Sequence, residues 1–320
     1  MSKRTKIWLI IAACLIVVGC VILGSVMTVF KWDFRKLSTN KYETKNYEIN
    51  EDFSSISVNS DNADIRFITC EDNICYVSCY QQKNTPYLVE VKDETLVIEV
   101  VDERKWYEYI EINFGAPKIT VSLPNTLYAE LFIKESTGDI EIPNTLKFNS
   151  ADISLSTGDI NFFADAEHIK IKTSTGDISL ENVTAKDLEL SASTGDISVS
   201  NVNCEGNVNI GVSTGKTKLT NINCKNLTST ASTGNILLNN VIALEKLSVK
   251  RSTGNVKIDG CDGGEIFIQT DTGGVTGSLL TEKVFITNTD TGSINVPKTV
   301  RGGKCEITTD TGDIKISIIN

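Results

Sequence analysis

From residue 131 onward, apolar and polar positions alternate in short bursts, and the bursts recur at a fixed period. Ten glycines mark the frame: Gly138, Gly158, Gly176, Gly195, Gly215, Gly234, Gly254, Gly273, Gly292 and Gly312, spaced 18 to 20 residues apart and each preceded by threonine. Two residues after most of them stands Ile or Val, as at Ile140, Ile160, Ile178 and Ile197, and four after stands another apolar residue, as at Ile142, Phe162, Leu180 and Val199. Seven and five residues before them the pairs return as Leu131 and Ile133, Ile169 and Ile171, Leu188 and Leu190, Val208 and Ile210. Alternation of period two is the signature of a strand with one buried face. No apolar stripe at helical spacing competes with it. Each repeat therefore predicts two short strands joined at corners, and repeats of this length stack into a solenoid. The fold class read from the pattern is all-β: a parallel β-solenoid, or β-helix, with one coil per repeat and Ile stacked on Ile through a continuous core.

The polar positions repeat as well. The motif reads STGDI at 136–140, 156–160, 174–178 and 193–197, then drifts through STGKT, STGNI and STGNV to DTGGV, DTGSI and DTGDI at 310–314. Glycine suits a corner whose backbone conformation costs other residues energy. The threonine hydroxyl is expected to bond its equivalent in the next coil. Asn182, Asn201, Asn221 and Asn240 form a second ladder of turn residues able to stack side chain on side chain. Asp139, Asp159, Asp177 and Asp196 form a third. Such a column could hold calcium, but it does not match the Gly-rich nonapeptide of calcium-binding β-rolls, so solvated corner residues are expected.

Before the repeats, residues 51–134 alternate without the short motif. "NADIRFI" at 62–68 looks like a degenerate STGDI coil, and 104–114 is rich in aromatics. This stretch predicts irregular coils with longer loops that cap one end of a regular solenoid at 135–320. Residues 31–50 read as a linker. Upstream, Ile7 to Phe30 is 24 residues without a charge, which as a helix spans roughly 36 Å, more than the ~30 Å hydrocarbon core of a bilayer. Residues 1–6 are left as a stub. Lys3, Arg4 and Lys6 precede the apolar run, predicting a single-pass anchor with a cytoplasmic N-terminus and an extracytoplasmic body. Val17-Val18-Gly19-Cys20 resembles a lipoprotein processing site, but the run stays apolar through Phe30, which favours an uncleaved anchor.

Charge narrows the function classes. Residues 1–36 hold six bases and one acid, so the remainder, with 25 bases and 40 acids, carries a balance of −15; nucleic acid is an unsuitable partner for such a body. Within it, 135–196 holds 12 acids and 4 bases, whereas 205–258 holds 2 acids and 7 bases: Lys216, Lys218, Lys225, Lys246, Lys250, Arg251 and Lys257. The basic stretch is either a solubility feature or a contact for anionic wall polymer, polysaccharide, lipid head groups or a surface protein. The single histidine, His168, excludes His-based triads and His-rich metal sites. The Asp-Thr-Gly triplets at 271–273, 290–292 and 310–312 share a spelling with aspartic proteases, but their aspartates replace the serines of earlier copies in register. Cys204 and Cys224 fall where Ala185 and Ala243 stand in neighbouring coils, as small inward residues. Pairing of Cys204 with Cys224, or of Cys70 with Cys75, is left open. No catalytic, cofactor or metal residue is assigned.

An N-terminal anchor, an "ADI" strand, the "KITVSLP" passage at 118–124 and repeated STGDI coils together resemble the bacterial "putative-adhesin" family, which includes LiaG-like envelope proteins of Gram-positive bacteria. The resemblance spans nearly the whole chain. It implies a membrane-anchored, outward-facing β-solenoid of unknown function and supplies no catalytic residues. The expected function is a non-enzymatic surface protein displaying a rigid interaction rod. The alternatives are a carbohydrate-active β-helix enzyme and a scaffold or accessory of an envelope-stress response.

Overall fold

The protein is described by a computed structural model covering residues 2–29, 31–32, 41–101 and 115–319. The aromatic stretch 104–114 and two of the basic residues after the apolar run, Arg35 and Lys36, lie outside the described residues. Helix α1 runs from Lys3 to Val29, 27 residues, and is long and apolar enough to cross a membrane. It begins four residues before the apolar run and so includes the basic residues at its start. Only Met27 of it is buried, and a helix apolar on all sides suits lipid rather than the edge of a soluble core.

Seven strands follow: β1 (Tyr42–Ile49), β2 (Ser55–Ser60), β3 (Asp64–Cys70), β4 (Cys75–Gln82), β5 (Tyr87–Lys92), β6 (Thr95–Val100) and β7 (Lys118–Pro124). The regular coils then comprise β8 (Leu127–Thr137), β9 (Ile140–Ile142), β10 (Lys147–Thr157), β11 (Ile160–Phe162), β12 (Asp165–Thr175), β13 (Ile178–Glu181), β14 (Thr184–Thr194), β15 (Ile197–Cys204) and β16 (Asn207–Thr214). In the next coils the strands merge across the corners as β17 (Thr217–Thr233), β18 (Ile236–Thr253) and β19 (Val256–Thr272). The chain ends with β20 (Val275–Leu279), β21 (Lys283–Thr291), β22 (Ile294–Asn295), β23 (Gly303–Thr311) and β24 (Ile314–Ile318).

All of this is one sheet wound into a parallel β-solenoid. The predicted columns stack in register: Ile153 lies between Ile133 and Ile171, and Ile160 between Ile140 and Ile178. These inward residues merge into one core cluster that runs the length of the solenoid.

Two features depart from the reading of the sequence. Residues 42–49, expected within a linker, form β1, which pairs antiparallel with β4. More consequential, the coils do not stack in chain order at either end. β2 pairs with both β8 and β6, and β3 with both β9 and β7, so the coil of residues 55–70 lies between the first regular coil and the coil made by β6 and β7. At the other end β23 lies between β19 and β21, and β24 between β20 and β22. The last coil of the chain is thus inserted beneath the coil that precedes it. The physical reason is that every parallel coil offers the same backbone groups on each edge, so alternation decides which side chains face inward but not which coil lies above.

Candidate functional site

Three ladders set the faces of the solenoid. At the Thr-Gly corner each glycine N–H but that of Gly292, in the outermost coil, donates to the threonine carbonyl of the next coil, as Gly195 does to Thr214 (3.0 Å). Gly195 adopts φ 143°, and a Cβ there would collide with the carbonyl oxygen of Gly176. The threonine side chains are exposed, and among the described residues their hydroxyls make no bond between coils; the expected hydroxyl ladder is replaced by this backbone one. The next position holds the aspartates. The N–H of Asp159 donates to Asp139 Oδ1 (2.9 Å), that of Asp177 to Asp159 Oδ1 (2.8 Å) and that of Asp196 to Asp177 Oδ1 (2.7 Å). Each carboxylate therefore ties one coil to the next, and Asn235 and Asn255 do the same later in the stack. No group of described residues is arranged to hold a metal. The predicted asparagine ladder is present: Asn201 donates to Asn182 (3.0 Å), Asn221 to Asn201 (2.8 Å) and Asn240 to Asn221 (3.0 Å), all at φ between 51° and 57°.

On the face that follows the glycine corner, the aspartate column stops at Lys216, whose N–H takes the last Asp196 bond (2.7 Å). The neighbouring outward column reads Ser198, Lys218, Leu237, Lys257, Thr276 and Lys315 across six successively paired strands. Lys218, Lys257 and Lys315 thus recur every second coil, about 9.6 Å apart at the usual strand spacing. With Lys216 they border an open concavity of about 690 Å³, floored in part by Leu237 and by Asn235 and Asn255. Lys216, Lys218 and Lys257 are exposed and make no ion pair among the described residues. Lys315 meets Asp313 at 2.6 Å, and that ion-paired hydrogen bond holds the Asp313 carboxyl well below the usual range. Three unpaired cations beside a half-buried leucine can hold an anionic group with an apolar flank. Lys315 could not be assigned here from the sequence, because only the inserted last coil brings it within two rungs of Lys257.

The other basic residues divide. Lys225 is paired with Glu245 (3.4 Å), and Lys250 lies over the Phe267 ring (5.3 Å). Arg251 is no surface charge at all. It is 2% exposed, and its guanidinium donates to the buried Ser229 (2.9 Å), leaving Nε and Nη1 buried without a partner. Burial lowers its pKa to about 10. Ser229 stands between Ile210 and Val249 in its inward column, so its hydroxyl breaks an apolar run where Arg251 reaches it.

The remaining candidates separate in space. His168 lies exposed on β12, 3.4 Å from Asp187. All nine cysteines are free. Cys204 donates to the Lys186 carbonyl (3.2 Å), and burial pushes Cys75, Cys79, Cys224 and Cys305 up to about 12. Thiols so disfavoured as thiolates are not nucleophiles. The sequence reading passed over Glu135, whose inward position is visible in its spacing from Gly138. Its Oε1 accepts the backbone N–H groups of Ala63 (3.4 Å), Ser136 (3.1 Å) and Thr137 (3.2 Å). Burial outweighs those bonds and raises its pKa to about 7.

The profile of the Toastrack DUF4097 family matches residues 53–240 and 206–320. No curated protein matches the chain. Among solved structures, similar folds include a "putative adhesin" from Bacteroides fragilis (19% identity, 87% of this chain and 97% of that one, TM-score 0.39). Another is a "putative adhesin" from Parabacteroides merdae (12% identity, 88% and 98%, TM-score 0.45). A third is a "putative lipid binding protein" from Parabacteroides distasonis (14% identity, 88% and 98%, TM-score 0.45).

Proposed function

The chain belongs to the Toastrack DUF4097 family, and from that premise we propose that it is a membrane-anchored, non-enzymatic surface protein whose outward-facing solenoid is an interaction rod for an anionic polymer. The observation that carries this reading is the lysine face. Lys216, Lys218 and Lys257 stand unpaired around an open concavity with Leu237 in its floor, whereas the aspartates of the preceding coils are committed to backbone N–H groups. A spacing of two coils between cations matches a linear polyanion better than a compact ligand.

The anchor is α1, with Lys3, Arg4 and Lys6 at its start retained on the cytoplasmic side. The non-enzymatic reading is supported by the fate of the chemically active groups. The ladder carboxylates accept hydrogen bonds between coils. The thiols of Cys75, Cys79, Cys204, Cys224, Cys261 and Cys305 are buried, and burial disfavours their thiolates. Glu135, whose pKa would suit a general acid, faces backbone amides beneath the corner.

The test uses the full chain in nanodiscs of zwitterionic lipid, with inorganic polyphosphate as the probe and neutral dextran as the control. The wild-type protein is expected to bind polyphosphate with an affinity that falls as salt is raised. Replacing Lys216, Lys218 and Lys257 together with Gln should weaken binding about a hundredfold or more, at ~1 kcal/mol per lysine. Equal binding by the triple variant, or no polyphosphate binding by the wild type, would overturn the reading.

A further inference from the structure

The two ends of the solenoid are finished differently. At the N-terminal end, an antiparallel layer closes the core: β5 pairs with β6, β4 with β7, and β1 with β4. The outermost parallel coil is consequently sealed, with Leu96, Ile98, Ile119 and Val121 fully buried. The free edges of that layer carry charge: Glu43, Lys45 and Glu48 on β1, Glu90 and Lys92 on β5. Charged edge strands resist further pairing.

The C-terminal end has neither device. Among the described residues β21 pairs only with β23, and β22 only with β24. Ile294 occupies the column of Val275 and Ile314, which are fully buried, yet it is 45% exposed because no further described coil covers it. Between Lys283 and Asp290 the strand reads Val-Phe-Ile-Thr-Asn-Thr, six residues without a charge. Lys283 itself is buried and paired with Asp262 at 2.6 Å, so it does not guard the edge. An uncharged, β-branched free edge at the end of an open core is a template for another strand.

We propose that this end is a self-association surface, on which a second copy of the chain pairs its own β21 antiparallel about a two-fold axis. Self-complementarity identifies the occupant. In β21 the even residues Val284, Ile286 and Asn288 point outward, and the odd residues Phe285 and Thr287 point toward the core. A two-fold antiparallel pair must match even with even and odd with odd. Centring the pair on Phe285 places Val284 opposite Ile286 of the second copy and Phe285 opposite Phe285, joining the two cores. Centring it on Ile286 instead faces Asp290 with Glu282, a repulsive match. The pairing joins ends remote from the anchors, because α1 enters the fold through β1 at the opposite end.

The test is sedimentation of the full chain in detergent micelles over a range of protein concentration. The wild-type protein is expected to form dimers. Val284→Lys with Ile286→Lys in one chain should leave only monomer while the thermal midpoint stays unchanged, since both side chains are exposed. Leu88→Lys on the N-terminal edge should leave the dimer intact. The register has its own test. Val284→Lys alone and Ile286→Glu alone should each dimerise weakly, and mixing them should restore dimer, because position 284 faces position 286 across the axis. A wild-type protein that stays monomeric, or a dimer that survives the double lysine variant, overturns the proposal. Failure of the mixture to recover overturns the register on which the choice of a second copy rests.

Discussion

The middle of the solenoid and its N-terminal junction solve the same problem with different chemistry. Between Gly138 and Gly273 each coil is held to the next by a glycine N–H on a threonine carbonyl, with an aspartate or asparagine side chain beside it at every step except that of Lys216. At the junction, where the coil of 55–70 inserts, Ala63 stands in the glycine column, and its N–H donates to the carboxylate of Glu135. The middle thus depends on repeated backbone geometry, and the junction adds one buried ionisable group to its strand pairing and to the rung from the Asp139 N–H to Asp64 Oδ1. A backbone ladder is indifferent to pH and intolerant of Cβ. A carboxylate clamp responds to pH.

The largest effect is expected in the middle. Gly195→Val should impose strain on the order of 1–3 kcal/mol from its positive φ, to which the collision with the Gly176 carbonyl adds. Because each coil is supported only by its neighbours, amides on both sides of residue 195 should lose protection in hydrogen exchange. Wild-type exchange rates in the variant would erase the distinction between middle and junction.

The junction should respond to pH instead. A carboxyl whose folded pKa of about 7 exceeds its ordinary 4.5 holds its proton more tightly when folded. Its stabilisation is complete below pH 4.5 and is lost as pH rises through about 7. The loss over that window amounts to as much as roughly 3 kcal/mol. Glu135→Gln keeps an oxygen for the three amides and removes the titration. Above pH 7 it should therefore be more stable than the wild type, and near pH 4.5 the two should melt alike. Parallel melting curves for both proteins from pH 4.5 to 8 would show that the clamp is unimportant.

The smallest effect sharpens the comparison from within the middle. Asp196→Asn retains the Oδ1 that receives the Lys216 N–H (2.7 Å), as Asn235 already does for Asn255 (2.8 Å). Its thermal midpoint should move by no more than ~0.5 kcal/mol equivalent, the range of surface substitutions. A large loss would mean that charge, and not the acceptor atom, holds the corner.

How much of this was legible in the residues depends on range. The inward columns, the glycine corner and the αL asparagines are dictated by relations within a few residues, repeated coil after coil, so period-two alternation and the Thr-Gly spacing specify them without a neighbour. The same reasoning located the degenerate coil at 62–68 and the helix over the apolar run. Stacking order is a different matter. Every coil edge offers the same parallel hydrogen-bonding groups, and no local signal says whether 303–318 lies above or below 275–295. That choice, made only in the tertiary structure, brings Lys315 to Lys257 and leaves Ile294 uncovered, and the separate placement of the 55–70 coil sets Glu135 against Ala63. Arg251 shows the same limit in one residue: its position is inward by count, its type is outward by habit, and the buried hydroxyl of Ser229 one coil away decides between them.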